Sequence, residues 1–133
     1  MELFVIDDGW FKGRNDSSRA LGDWEVDQNK FKEGLEKFSQ KIHNIGLKFG
    51  LWVEPEMISM DSDLYRTHPE FALRSNKRFP LERRHQLMID MSNNEVVDYL
   101  YKVLSQVILK TQADYIKWDF NRFIIDMGAE DMI

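Results

Sequence analysis

Three short strand-forming runs, each closing on polar or aromatic residues, limit what this chain can fold into: Leu3–Ile6, Lys48–Val53 and Asp114–Trp118. The first is apolar at every position, without the alternation of a half-solvated strand. That suits a strand covered on both faces, as in a parallel sheet. Two stretches of helical periodicity separate the runs. From about Lys30 to Asn44, Phe31, Leu35, Phe38 and Ile42 fall on one face. Asp27 or Asn29 is placed to cap its start, and Gly46 to end it. Ser92 and Glu95 form the S-x-x-E signature of a capping box. Val97, Leu100, Leu104, Val107 and Ile108 then make an apolar stripe to about Lys110. Pro55 halts regular structure after the second run. A long polar segment follows to about His85, with a short helix predicted near Ser62 to Thr67 and the apolar triplet Leu87-Met88-Ile89 just beyond. Segments of this length inside a compact domain tend to be functional. The order strand, helix, strand, loop, helix, strand predicts an α/β fold of parallel βαβ units.

Three strands cannot close a barrel, which takes eight and about 250 residues. The chain therefore reads either as a small open sheet or as part of something larger. Its opening, with a strand two residues in, reads as a truncation point. No repeat, low-complexity tract or linker divides residues 1–133. The net charge of -5 and the lack of a basic stripe argue against a nucleic-acid partner. No apolar stretch reaches the roughly 20 residues of a membrane helix, so no membrane partner is expected. The N-terminus has neither a basic region nor a cleavage-site pattern, and there are no cysteines for disulfides or thiolate metal sites. A cytoplasmic protein is the expectation. His43, His68 and His85 have no metal-ligand spacing, and neither metal nor cofactor is expected.

In parallel α/β folds the C-terminal ends of the strands line one rim, where sites are built. Here those ends read Asp7-Asp8-Gly9-Trp10, Trp52-Val53-Glu54-Pro55-Glu56 and Lys117-Trp118-Asp119-Phe120-Asn121. An acidic residue after a strand often does no more than cap the next helix. The same chemistry at all three ends is harder to assign to capping. Carboxylates accept hydrogen bonds from hydroxyls, and indole faces pack on the C–H face of a sugar ring. A carboxylate can also attack an anomeric carbon, and a retaining glycosidase needs two carboxyl groups about 5–5.5 Å apart.

Four blocks carry a family resemblance: Leu3-Phe4-Val5-Ile6-Asp7-Asp8-Gly9-Trp10-Phe11, Leu21-Gly22-Asp23-Trp24, Phe49-Gly50-Leu51-Trp52-Val53-Glu54-Pro55-Glu56-Met57, and Tyr115-Ile116-Lys117-Trp118-Asp119-Phe120-Asn121-Arg122. They resemble the α-galactosidases of glycoside hydrolase family 36, in order, and cover essentially the whole chain. The resemblance implies a partial (β/α)8 TIM barrel, with residues 1–133 a piece of the catalytic domain. It implies cleavage of terminal α-linked galactose from raffinose- or melibiose-type sugars, with retention. By resemblance Asp119 is the nucleophile and Lys117 sits beside it, binding a sugar hydroxyl and holding Asp119 ionised. Asp7 and Asp8 would accept galactose hydroxyls, Trp52 would line the subsite, and Arg84 would match a binding arginine on the long loop. Glu54, Glu56 and Asn121 belong to the motifs as supporting residues. The family's acid/base lies two barrel strands beyond the nucleophile, outside this chain, so the chain alone is expected to be inactive. The family also implies a homo-oligomer for the full-length protein.

Two other readings fit parts of the pattern. A non-catalytic galactose-binding module would keep Asp7, Asp8, Trp52 and Lys117 without needing a nucleophile. A receiver-type phosphoacceptor domain would explain an acidic pair after the first strand. Its second strand, however, would not end in Trp52 and Glu54, and so long a polar loop is foreign to it.

Overall fold

The computed structural model describes residues 1–74 and 79–123. The chain runs β1 (Leu3–Ile6), α1 (Leu35–Asn44), β2 (Lys48–Val53), β3 (Met57–Ile58), α2 (Asp63–Thr67), a 3-10 turn (Pro69–Phe71), β4 (Leu87–Met88), α3 (Asn94–Thr111) and β5 (Tyr115–Trp118). Strands β1, β2 and β5 form a parallel sheet in that order, and β3 pairs antiparallel with β4. The three runs are thus neighbouring parallel strands with their C-terminal ends together, as the strand–helix alternation predicts.

Register places Val5, Gly50 and Tyr115 in one row across the sheet, and Trp52 beside Lys117 two residues on. Residues two apart on a strand share a face. The Gly50 row therefore lies directly beneath the row that carries the site. A Cβ at Gly50 would meet the Tyr115 carbonyl oxygen at 3.1 Å and Val5 Cγ2 at 3.1 Å, so the close approach of three strands there requires glycine. On the opposite face Phe49 and Leu51 are fully buried. Helices α1 and α3 pack on one another there, and the Ser39 hydroxyl donates to the Thr111 carbonyl across them.

Local chemistry moves several element boundaries. Helix α1 begins at Leu35 rather than Lys30. The Asp27 carbonyl takes the N–H of both Lys30 and Phe31, and its carboxylate takes that of Asn29. Those bonds close a separate turn before Gly34, at φ 88°, resets the chain. Neither Asp27 nor Asn29 is the helix cap. Gly46 does end α1: its N–H reaches the His43 carbonyl and that of Leu47 reaches Ile42, the paired bonds of a Schellman motif. Helix α3 is capped by Asn93, which accepts from the Glu95 N–H, and not by Ser92, whose hydroxyl turns to Asp90. The buried stripe accordingly begins at Val96, while Val97 faces outward. Asp114 precedes β5 instead of joining it. Its carboxylate accepts from the Phe49 N–H and pairs with His43, and its N–H donates to the Phe49 carbonyl, which registers β5 against β2. Helix α2 spans the stretch expected of it, with Ser62 as its cap. Among the described residues, no helix is long and apolar enough to cross a membrane.

Between β1 and α1 the loop folds onto the core. Trp10, Phe11, Trp24 and Trp52 pack as one aromatic cluster, with the Phe11 and Trp52 rings stacked at 6.5 Å. The Leu21-Gly22-Asp23-Trp24 block is scaffolding. Asp23 accepts the N–H groups of Asp63 and Leu64 at the start of α2. Tyr99 of α3 donates its hydroxyl to the Gly22 carbonyl at 2.7 Å, and burial pushes that phenol up to about 12.

Candidate active site at the carboxyl ends of the sheet

Trp52 is the last-but-one residue of β2, and its backbone is fixed by the ladder and by Trp10, whose indole N–H donates to the Trp52 carbonyl at 2.8 Å. Its own indole N–H donates to Asp119 Oδ2 at 2.9 Å. Asp119 follows β5 immediately, held there by its N–H on the Val53 carbonyl at 2.8 Å. The Asn121 amide donates to the same Oδ2 at 2.6 Å, and the Phe120 N–H to Oδ1 at 3.0 Å. Partial burial pushes the Asp119 carboxyl up. The Asn121 and Trp52 donors, the Phe120 N–H and, last, the charge of Lys117 outweigh it and hold the group below its ordinary 3.8. Asp119 is thus a fixed, ionised carboxylate at the mouth of a cavity.

That cavity has a volume of ≈ 400 Å³ and is lined by Asp7, Asp8, Trp52, Arg84 and Asp119, together with Arg14, Ser17, Glu54, His85, Gln86 and Asn121. Five of the six residues singled out in the sequence therefore meet on one surface. Lys117 joins them through Asp7 instead of lining the cavity: its ammonium donates to Asp7 Oδ2 at 2.7 Å. That bond, ahead of the Asp8 N–H, holds the Asp7 carboxyl low, and Asp7 in turn raises Lys117. Lys117 thus bonds Asp7 directly and acts on Asp119 through its charge, which lowers that carboxyl after the Asn121, Trp52 and Phe120 donors. A larger cavity, ≈ 590 Å³, lies between α3, α2 and the 23–28 loop, lined in part by Trp24, Leu64, Tyr99 and Val107. It holds no residue of the three strand ends.

Several contributors escape a reading of the sequence. Arg14 is buried and grips Asp8 with two bonds, Nε to Oδ1 at 2.9 Å and Nη2 to Oδ2 at 2.8 Å, while its Nη1 donates to the Arg19 carbonyl. In the sequence it is one more arginine in a polar loop, indistinguishable from Arg19. Gln86 is buried beside Glu54, and its backbone carbonyl takes Arg122. Arg84 reaches the site from a two-residue hairpin closed by Arg83 and Gln86, with Arg84 and His85 both at positive φ, 54° and 57°. Non-glycine residues in that region carry strain, which is tolerated where position matters more than stability. Arg84 Nη1 donates to the Asn121 carbonyl at 3.0 Å, tying the long loop to the segment that carries Asp119. Among the described residues no group of His, Asp and Glu is arranged to hold a metal.

An α/β chain with its polar machinery at the carboxyl ends of parallel strands is of the class that builds small-molecule sites on that rim. The particular family is shown by comparison. The Melibiase family model matches residues 1–133, and the chain belongs to that family. It is 46% identical over 127 residues to alpha-galactosidase 1 of Pediococcus pentosaceus, covering 96% of this chain and 17% of that protein. The crystal structure of the alpha-galactosidase from Lactobacillus brevis superposes with a TM-score of 0.94 at 52% identity, over 100% of this chain and 18% of that one. A doubly substituted GH36 alpha-galactosidase AgaA of Geobacillus stearothermophilus, solved in complex with raffinose, gives 0.95 at 43% identity over the same shares. The chain thus spans under a fifth of the length of these relatives.

Proposed function

We propose that the full-length protein bearing this chain is a retaining α-galactosidase that hydrolyses terminal α-linked galactose from raffinose- or melibiose-type sugars, with Asp119 as nucleophile. The observation that carries this reading is the Asp119 carboxylate, ionised and oriented by two side-chain donors at a cavity bordered by further carboxylates and an indole. On this reading β1, β2 and β5 are consecutive strands of a (β/α)8 barrel. Oδ2 of Asp119 is occupied by Trp52 and Asn121, leaving Oδ1, with the Phe120 N–H alone among the described residues, as the atom that attacks the anomeric carbon. The C–O bond to the leaving sugar breaks as that oxygen takes a proton from an acid/base carboxyl, which the family resemblance puts beyond these residues. Water then cleaves the galactosyl ester, giving its proton to the same carboxyl. Asp7, Asp8 and Arg84 hold the galactose hydroxyls, and Lys117 fixes Asp7. Residues 1–133 alone would lack the acid/base and would not turn over.

The test is release of nitrophenol from an aryl α-galactoside by the full-length protein and its Asp119→Ala variant. Loss of a nucleophile costs on the order of 10⁴-fold or more in kcat. Azide should restore cleavage of an activated substrate in the variant and yield the β-galactosyl azide. A variant that keeps its rate removes Asp119 from the chemistry. Galactose binding without hydrolysis, unchanged by Asp119→Asn, supports a sugar-binding module in its place.

A further inference from the structure

Glu54 is a carboxylate at 1% exposure, on the residue that follows β2, and the chemistry assigned above makes no use of it. Burying a carboxyl costs several kcal/mol unless its oxygens are matched by donors. Both are matched here: Oε1 accepts the Asn121 N–H at 2.9 Å and Oε2 accepts the Gln86 amide at 3.2 Å. The same Asn121 sends its side-chain amide 2.6 Å to Asp119 Oδ2. One residue therefore touches Glu54 with its backbone and Asp119 with its side chain. We propose that Glu54 is a positioning residue for the reaction, acting through Asn121 to fix the carboxylate of Asp119. The inference rests on Asp119 being the nucleophile.

The geometry favours this over a general packing role. A buried residue needed only for volume there would be apolar, as its neighbour Val53 is. Besides Glu54, the backbone of the segment after β5 is held by the Asp119 N–H on Val53 and the Arg84 bond to the Asn121 carbonyl, and one residue further on by the Arg122 side chain on the carbonyls of Gln86 and Leu81. Without Glu54 the peptide between Phe120 and Asn121 loses its acceptor, and the Asn121 amide is free to leave Oδ2. Burial, ahead of every other influence, raises the Glu54 carboxyl above its ordinary value, opposed by the Asn121 bonds. That suits a group whose task is acceptance of hydrogen bonds and not charge. An amide can do the same work. In Glu54→Gln the side-chain oxygen can still accept from Asn121, and its NH₂ can donate to Gln86 Oε1, which has no partner among the described residues, once the Gln86 amide turns over.

The experiment measures kcat and KM on an aryl α-galactoside for the full-length protein and for Glu54→Ala, Glu54→Gln, Asn121→Ala and both double variants, with melting temperatures and Asp119→Ala alongside. Misplacing a reacting group by about 1 Å costs on the order of 10²-fold. Glu54→Ala should lower kcat by about that factor with little change in KM, and Glu54→Gln should recover to within about tenfold of the parent. In the Asn121→Ala background neither Glu54 substitution should cost more than about threefold, because the two residues act as one unit. Multiplicative losses, a loss confined to KM, or a Glu54→Gln as slow as Glu54→Ala would each overturn the proposal. Should Glu54→Ala fail to fold, Glu54→Met, which fills the space but cannot accept the Asn121 N–H, takes its place in the cycle: a loss in kcat of about 10²-fold that shrinks to about threefold or less without Asn121 supports the proposal, and one that persists there, or no loss at all, overturns it. A fully active Asp119→Ala would sink the nucleophile assignment itself. An inactive one combined with multiplicative losses sinks only the role of Glu54.

Discussion

Replacing Trp52 with phenylalanine removes one N–H and part of one ring, and the structure separates the consequences. The lost bond runs 2.9 Å from the indole to Asp119 Oδ2. Hydrogen bonds to charged groups are worth about 1.5–3 kcal/mol, and the lower end applies because the carboxylate still meets solvent. If the bond is fully used in the transition state, about 1.5 kcal/mol is roughly tenfold in kcat. The lost ring is a stability matter. Trp52 is buried against Phe11 and Trp24, and withdrawing roughly 40 Å² of apolar surface at about 25 cal/mol per Å² costs about 1 kcal/mol. The stacking on Phe11 is kept by the new ring.

The two effects have different signatures. Chemical or thermal unfolding reads the packing loss. The pH profile of kcat/KM reads the bond, since Trp52 is one of the donors that hold Asp119 below 3.8 against the upward push of burial. Removing it must move the acidic limb of the profile to higher pH. The same sign governs stability. A carboxylate depressed in the folded state contributes stability above its unfolded value, and that contribution disappears as pH falls through the folded value. Trp52→Phe should therefore also narrow the stability lost on acidification. A variant whose acidic limb stays in place or moves down, with kcat within twofold of the parent, would refute the claim that this indole tunes the Asp119 carboxyl.

Gly50→Ala should destabilise the protein by about 1–3 kcal/mol in denaturant titration, because its Cβ would press on the Tyr115 carbonyl and Val5 at 3.1 Å between parallel strands. His85→Gly should raise stability by about 1 kcal/mol, since position 85 sits at φ 57° in a two-residue hairpin where glycine is unstrained; a fall in melting temperature would show that His85 makes a contact worth more than the strain. Lys117→Met should leave the melting temperature close to the parent, both partners being largely exposed, and raise KM by on the order of tenfold as Asp7 loses its donor. An unchanged KM would remove the Asp7–Lys117 pair from sugar binding.

The strands and the rim were legible from the strand–helix alternation and the residues that close each run. Burial follows the apolar pattern fully only in Lys48–Val53, while Leu3–Ile6 is half-buried and Tyr115–Trp118 largely exposed. Helix starts were less legible, for a definite reason. Asp27, Asn29, Ser92 and Asn93 are all competent caps, and which one serves depends on turns closed by backbone bonds that no spacing reveals. The site divides in the same way. Asp7, Asp8, Trp52 and Asp119 stand at strand ends, where topology alone places them. Arg14 and Gln86 depend on loop paths, and the pairing of Lys117 with Asp7 depends on the order and register of β1, β2 and β5. A loop arginine gives no sign of becoming the buried partner of an aspartate six positions earlier.

What the loops add is rigidity at the point where the sheet stops providing it. The hydrogen-bond ladder ends with the Asp119 N–H on the Val53 carbonyl, and past that bond nothing in strand geometry would hold the Asp119 side chain. Each further constraint comes from outside the sheet. Trp52 is braced by Trp10 from the loop after β1, Glu54 and Arg84 clamp the two sides of the Asn121 peptide, and Arg122 grips the carbonyls of Leu81 and Gln86. The strained turn at Arg84 and the buried carboxyl at Glu54 both cost stability and both converge on Asn121. A catalytic group placed to within a fraction of an ångström needs such over-determination, so the destabilising features of this fold collect around Asn121 rather than around Asp119 itself.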